Sequence, residues 1–303
     1  MLWVTEDTEL YSYSQRREKS ESQQLVTMPV IITEPLKVER VTIEIASLPQ
    51  SLSGIKIVQL SDLHYDGIRL SEKLLAEAIE TSNLESPDLV AITGDLVTDD
   101  PEPIEALAER LVKLKSRVGT YVCLGNHDNV SLTSRQQIID ALTAVGIKVL
   151  WNEIVYPLGT ELAIVGLADY WSREFNPKLV FSQIDSNIPR VVLSHNPDSA
   201  EILKKHRVDL QLSGHTHGGQ IVIPGYGAAP ILVQELRKNS PKIYKKYVPF
   251  LKVCARVVNH WNWAEGWHQV GKNQLYVNRG LGTYSPGRLF CPPELTVITL
   301  EPR

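Results

Sequence analysis

The sequence predicts an α/β protein: short apolar runs alternate with amphipathic helical segments through its first half, polar clusters end those runs, and strand patterns dominate its second half. Val41, Ile43 and Ile45 alternate with polar neighbours as in a half-buried strand. After Gly54 the run IKIVQL is apolar enough for a strand covered on both faces. It leads directly into Ser61-Asp62. Leu74, Leu75, Ala78 and Ile79 share one helical face, and DLVAIT (88–93) reads as the next buried strand, ending at Gly94-Asp95. Ile104, Leu107, Ala108, Leu111 and Leu114 recur at helical spacing, followed by the strand TYVCL (120–124) and Gly125-Asn126-His127-Asp128. Ile138, Leu142 and Val145 mark a further helix. Beyond it, KVLW, ELAIVGLAD, RVVLSH (190–195), DLQLSG (209–214), QIVIP (220–224), QLYVNRG (274–280) and ELTVITL (294–300) predict a second sheet with more antiparallel pairing. Polar clusters therefore fall at strand C-termini, where open α/β sheets collect their ligands.

With 303 residues, 43% of them hydrophobic, the chain is long enough for a substantial core. Its 31 basic residues against 35 acidic give a net charge of −4, a balance that implies no general affinity for nucleic acid. Cys123, Cys254 and Cys291 are odd in number and far apart, which fits buried free thiols in a reducing compartment. The N-terminus is polar and acidic where a secretory signal is basic and then apolar, and no run of about 18 apolar residues occurs. A cytoplasmic protein, soluble or peripheral at the inner membrane face, is the expectation.

The strand-end clusters are Asp62-Leu63-His64, Gly94-Asp95, Gly125-Asn126-His127-Asp128, Ser194-His195 and Gly214-His215-Thr216-His217-Gly218-Gly219. Oxygen and imidazole donors without thiolate suit Mn, Fe, Zn or Mg, and two neighbouring dications need one carboxylate to bridge them. Asp95 is the natural bridge. In Asp62-x-His64 and His215-x-His217, a spacing of two on extended backbone would turn both side chains to one side, toward one cation or a pair. The adjacent glycines permit sharp turns and close backbone approach.

The series DLH, GD, GNHD, SH and GHTHGG, in that order between residues 62 and 219, resembles the five-block signature of the calcineurin-like metallophosphoesterases. Similar flanking strands extend the resemblance from about residue 37 to the C-terminus. It implies a four-layer α-β-β-α sandwich of two mixed β-sheets flanked by helices, formed by residues 35–303 after a flexible, Ser-, Gln- and Glu-rich tail at 1–34. It also implies two divalent metal ions per chain, manganese first, with Fe, Zn or Mg as alternatives. Asp62, His64 and His217 would hold one ion, Asn126, His195 and His215 the other, and Asp95 both. His127 would protonate the leaving oxygen or stabilise charge there, with Asp128 orienting its ring, while a hydroxide between the ions attacks phosphorus in line. A scaffold of this fold that has lost catalysis is the rival reading. Such scaffolds shed ligands, and here every motif position carries a competent side chain.

GHTHGGQ, VNRGLGT (277–283), Arg288 and Pro292-Pro293-Glu294 further resemble the bacterial YkuE/YaeI-type phosphodiesterases, a branch that includes enzymes cleaving the pyrophosphate of UDP-2,3-diacylglucosamine. The resemblance puts Arg279 and Arg288 at the pocket rim, available to substrate phosphate; structural arginines are the other reading. Compact members lack an insertion that this chain carries at about 230–263. There seven basic residues, Arg237, Lys238, Lys242, Lys245, Lys246, Lys252 and Arg256, face the single acid Glu235, so the insertion carries +6 and the remainder −10 of the total of −4. Tyr244, Tyr247, Phe250, Trp261 and Trp263 and several aliphatics interleave with that charge. The segment reads either as an interfacial element for an anionic membrane or a lipid-bearing substrate, or as a helical excursion packed on the body. Its aliphatic content argues against nucleic acid. The expected activity is hydrolysis of a phosphodiester or pyrophosphate, on a lipid-linked substrate such as UDP-2,3-diacylglucosamine, with a nucleotide phosphodiesterase as the alternative.

Overall fold

A computed structural model describes residues 33–239 and 257–303. Most of the expected tail and residues 240–256 of the insertion, with Cys254, lie outside the described residues. In chain order the strands are β1 (Lys37–Ile45), β2 (Ile55–Leu60), β3 (Leu89–Thr93), β4 (Thr120–Cys123), β5 (Lys148–Val149), β6 (Glu153–Val155), β7 (Ala163–Gly166), β8 (Arg190–Leu193), β9 (Leu210–Ser213), β10 (Val222–Ile223), β11 (Gly227–Ala228), β12 (Gly266–Val270), β13 (Asn273–Val277) and β14 (Glu294–Pro302). The helices are α1 (Glu72–Leu84), α2 (Ile104–Leu111), α3 (Leu132–Ala144), α4 (Pro177–Phe181), α5 (Ala200–Leu203) and α6 (Ala229–Asn239). Side-chain caps start three of them: Ser71 accepts from Leu74 N at α1, Ser131 from Ser134 N at α3, and Asn176 from Leu179 N at α4.

Six strands form one sheet in the order β1-β14-β2-β3-β4-β5, and six form a second in the order β12-β13-β9-β8-β7-β6. Alternation along the strands separates the layers. Ile57, Leu89 and Ala91 face a core shared with Ile164, Val191, Leu193, Leu210 and Leu212 of the second sheet, while Val58, Leu60, Val90 and Ile92 face Leu75, Ile79, Leu107 and Leu142 of the helices α1 to α3. On the far side, Ala163, Val165 and Val192 pack against Val180 and Phe181 of α4. The result is a helix, sheet, sheet, helix sandwich. Each fully buried Leu or Ile in it contributes about 2 kcal/mol of transfer free energy.

The second sheet carries two antiparallel pairs against the single β14·β2 pair of the first, as expected. KVLW and ELTVITL, however, supply β5 and β14 to the first sheet and not to the second, because β14 pairs between β1 and β2 and β5 beside β4. The antiparallel pairs of the second sheet, β12·β13 and β6·β7, are confined to the edges, and its centre, β13·β9·β8·β7, is parallel. Connections such as 167–189, which contains α4, return the chain to the same end of the sheet and impose that direction. QIVIP supplies only the two-residue strand β10, and GWHQV forms the edge strand β12, whose Trp267 is half exposed and leaves no clear apolar alternation. Among the described residues no helix is long and apolar enough to cross a membrane.

The two sheets are joined at the end where their parallel strands finish. Gln59 of β2, fully buried, donates from Nε2 to Thr93 Oγ1 at 3.0 Å and to Ser213 O of β9 at 2.9 Å. The loops after β2, β3, β4, β8 and β9 therefore converge on one spot.

Candidate metal centre

Those five loops carry the five polar clusters. Asp62, His64, Asp95, His215 and His217 all have positive φ, at 49°, 43°, 53°, 71° and 51°. The extended backbone inferred from the x+2 spacing is therefore not what turns these side chains inward; left-handed turns at each of the five positions do so. Such a conformation costs a non-glycine residue on the order of 1 kcal/mol or more and persists where the surroundings enforce it. Here Asp62 N donates to Gly94 O at 2.9 Å, His64 N to Asp95 O at 3.0 Å, and His215 N to the Asp62 carboxylate at 2.9 and 3.0 Å. Gly214 has no room for a Cβ, which would overlap the Ser61 hydroxyl and the Asp62 carboxylate.

The turns gather two sets of donors, Asp62 with His64 and His217, and Asp95 with His195 and His215, all buried. Within each set the atoms lie within 4.8 Å of one another. Asp95 joins the sets: its Oδ2 lies 3.1 Å from His195 Nε2 and 3.6 Å from His64 Nε2, while its Oδ1 accepts from His127 N at 3.0 Å.

The outer ring nitrogens show what these sets fit. A carbonyl oxygen only accepts, so His195 Nδ1 donates to Thr93 O at 2.6 Å, His215 Nε2 to Val257 O at 3.1 Å, and His217 Nδ1 to Gly282 O at 3.2 Å. In a neutral ring the opposite nitrogen is then a lone pair. His195 Nε2 and His215 Nδ1 face each other at 3.2 Å. His64 Nε2 and His217 Nε2 are likewise 3.2 Å apart. Facing nitrogens at that distance need a positive charge between them, a proton or a cation, and the two pairs offer that place side by side. Asn126 Oδ1, buried and with no hydrogen-bond partner among the described residues, is an acceptor of the kind a cation satisfies. The donors thus fit a pair of divalent cations.

Electrostatics point the same way. Burial, with the Asp95 charge adding to it, pushes Asp62 up to about 6, and burial holds the His64 and His217 rings well below the usual imidazole range. Burial and the neighbouring His195 bring His215 down to about 3. Burial works against charge on Asp95 too, yet the His195 and His127 rings outweigh it and keep that carboxyl well below its usual range. For His195, burial is overcome by the same Asp95 charge, which lifts it to about 10, so that with no cation beside Asp95 the ring itself takes up the proton that supplies positive charge there. The Asp95 oxygen shared by both sets demands positive charge beside it.

His127 stands beside these sets without joining either. Its Nδ1 is 2.7 Å from Asp99 Oδ1, and its Nε2 is 3.5 Å from the Tyr284 hydroxyl. The residue expected to orient the ring, Asp128, spends its carboxylate elsewhere: Oδ1 accepts from Leu96 N at 2.8 Å and Val97 N at 3.3 Å, and Oδ2 from Gly125 N at 2.9 Å. Asp128 splints the loop after β3 to the loop after β4, and Asp99 is the carboxylate on the histidine ring. The reason is burial, because a fully buried carboxylate takes the amide donors packed around it.

Arg279 and Arg288 also part from the expectation of rim residues. Arg288, 1% exposed, donates to the carbonyls of Arg279, Gly280 and Gly282 at 2.7, 3.1 and 2.7 Å and to Thr283 Oγ1 at 3.1 Å, fastening the loop that carries Gly282. Arg279 pairs with Glu39 at 2.8 Å and Glu265 at 3.1 Å, and its Nε lies 2.8 Å from Glu294, poorly aligned for a hydrogen bond. Both spend these donors on partners within the chain. Replacing Arg279 by Met leaves buried Glu294 without its charge partner and is expected to lower unfolding free energy by about 3 kcal/mol in a urea titration, with the metal content of the folded protein unchanged. A loss below about 1 kcal/mol would show that the ion pair is dispensable.

Sequence reasoning did not single out Asp99, Tyr284 or Asp169. Tyr284 places its hydroxyl 3.2 Å from His64 Nδ1, with the Arg69 guanidinium 4.5 Å above its ring. Asp169 is 2% exposed, burial pushes its carboxyl up to about 6, and its Oδ1 has no partner among the described residues. Trp171, two residues on, meets the His215 ring edge-on at 5.0 Å. Of the three, only Asp99 left a signal, in the polar run Thr98-Asp99-Asp100 after a motif block.

A family model described as calcineurin-like phosphoesterase matches residues 55–219, more than half of the chain, and the chain belongs to that family of metal-dependent phosphoric ester hydrolases. Its relatives include the phosphodiesterase YaeI of Escherichia coli, 31% identical, with 88% of this chain and 90% of that one aligned. The uncharacterized metallophosphoesterase YkuE of Bacillus subtilis is 33% identical over 86% of this chain and 84% of its own. The UDP-2,3-diacylglucosamine pyrophosphatase LpxG of Chlamydia muridarum is 28% identical over 82% and 84%.

Proposed function

We propose that the chain hydrolyses a phosphodiester or pyrophosphate at a pair of divalent cations, one held by Asp62, His64 and His217, the other by Asn126, His195 and His215, with Asp95 shared. The observation that carries this reading is the pairing of imidazole nitrogens 3.2 Å apart around one Asp95 oxygen. When bound, the two cations supply an activated water and neutralise charge on the phosphoryl oxygens. The chain's own groups do the rest. Thr93 O, Gly282 O and Val257 O hold the protons of three rings on their outer nitrogens, so that the inward nitrogens are the ones left to bind a cation. His127, held at Nδ1 by Asp99, presents Nε2 to the leaving oxygen and delivers its proton there. Manganese is the first candidate for both positions.

For substrate we favour a lipid-linked phosphoanhydride or diester met at a membrane face. Ile223, Tyr226, Leu236, Leu289 and Phe290 are exposed on the segments that follow the His217 loop and pair with it, Val222 N donating to Leu289 O at 2.9 Å. The basic, aromatic insertion begins within that strip, and the relative named for UDP-2,3-diacylglucosamine adds chemical precedent. In this reading residues 35–303 form one catalytic domain with the insertion as its substrate-facing arm.

The test is turnover by manganese-reconstituted protein on bis-p-nitrophenyl phosphate, a phosphomonoester and UDP-2,3-diacylglucosamine in detergent micelles. Diester and pyrophosphate hydrolysis should exceed monoester hydrolysis, vanish with chelator and return with Mn2+. Preference for a soluble nucleotide diester over the lipid would redirect the substrate assignment, and no hydrolysis of any of them with two ions bound would leave a binding scaffold.

A further inference from the structure

Resting on the two-cation reading above, we infer that the return leg of the insertion, residues 257–264, belongs to the second cation's site, because it sets the orientation and tautomer of His215. Three of the four imidazoles find their outer partners on the loops of the sheets themselves: His195 on Thr93, His217 on Gly282, and His64 on Thr98 Oγ1 at 3.3 Å and Tyr284. His215 alone donates outside that frame, to Val257 O. The Trp171 ring closes its other flank. Without the Val257 carbonyl the Nε2 proton of His215 loses its acceptor, and the ring loses the contact that aims Nδ1 at a cation opposite His195.

The return leg is built to hold that carbonyl still. Asp198, 1% exposed and three residues beyond His195, accepts from Asn259 N at 2.7 Å, His260 N at 3.0 Å and His260 Nδ1 at 2.8 Å. Thr216, between the two histidines of the last motif, donates from Oγ1 to Ala264 O. Val258, Trp261 and Ala264 are buried against Ala228, and Gln234 of α6 donates to Asn259 O at 3.2 Å, so the outgoing and returning legs of the insertion are tied together. A loop that only decorated the surface would not need a buried carboxylate with three donors at its base. Asp198 is thus a positioning residue acting through Val257 on His215, and retention of the second cation depends on how the insertion is seated.

The experiment is a Mn2+ titration of the full chain, with free Mn2+ read by electron paramagnetic resonance, comparing wild type, Asp198→Ala, and Asp62→Ala and His215→Ala as references for the two sites. Wild type should bind two ions. Asp198→Ala should keep one at wild-type affinity and bind the other at least about tenfold more weakly, approaching His215→Ala and unlike Asp62→Ala, which is the range found when the outer partner of a metal-bound histidine is removed. Both ions bound at wild-type affinity by Asp198→Ala would overturn the inference and leave the two-cation reading intact. Fewer than two ions on wild type would overturn that reading, and the inference with it. Should Asp198→Ala fail to fold, long-range 1H–15N spectra of the Zn2+-loaded wild type decide the matter: an exchange-protected Nε2 proton on His215 supports it, and a proton on Nδ1 overturns it.

Discussion

Asp95→Ala is expected to lower kcat/KM by about a thousandfold or more and to reduce bound Mn2+ from two ions to at most one. A single carboxylate oxygen, Oδ2, approaches both donor sets, at 3.1 Å from His195 Nε2 and 3.6 Å from His64 Nε2, so its removal strips a ligand from each position at once. The same side chain holds the backbone of the proposed acid through Oδ1 and His127 N. Losing several kcal/mol of transition-state charge stabilisation corresponds to about three powers of ten in rate, since each power of ten is about 1.4 kcal/mol. Metal analysis of the desalted variant, alongside turnover of the diester, separates the effects. A variant that keeps two ions and hydrolyses within tenfold of wild type would refute the bridging role.

Why Asp95 could be singled out from sequence while Asp99 could not is a matter of range. A ligand at the end of a buried strand is announced locally: IKIVQL and DLVAIT need full burial, and the residues that follow are confined to donors and glycine. The sandwich was readable for the same reason, because the strands' alternation, with Ile57 toward one core and Val58 toward the other, is written in adjacent letters. Asp128 misled because adjacency to His127 says nothing about direction. Its turn points the carboxylate at the amides of Leu96, Val97 and Gly125, two loops meeting across some thirty residues of sequence. Arg279 and Arg288 misled similarly: their partners, Glu39 among them, are supplied by distant segments that only the folded chain assembles. The x+2 motifs carried a correct placement with a wrong cause, since positive φ at a non-glycine residue leaves no periodic signature. Val257 was hidden deepest, inside a segment whose charge drew attention away from its base.

Removal of the His127 ring should be felt in proportion to how badly the leaving group needs a proton. His127→Ala is expected to cut turnover of an alkyl or sugar phosphodiester by about 10²- to 10⁴-fold, yet to slow bis-p-nitrophenyl phosphate far less, because p-nitrophenolate departs without protonation. The ring touches the site from outside the two donor sets, through Asp99 on Nδ1 and Tyr284 near Nε2, so bound Mn2+ should remain at two ions. Asp99→Asn keeps the ring in place but weakens the partner that stabilises its charged form, and a smaller loss, about tenfold, with the same leaving-group dependence is the expected companion result. Asp128→Asn serves as the contrast. With its carboxylate engaged by three backbone amides, it should lower stability, by about 1 to 3 kcal/mol, without any dependence on the leaving group. Equal losses on good and poor leaving groups for His127→Ala would mean that the ring stabilises phosphoryl charge and is not the proton donor, and the division of labour between Asp99 and Asp128 would then have to be drawn from binding and not from proton transfer.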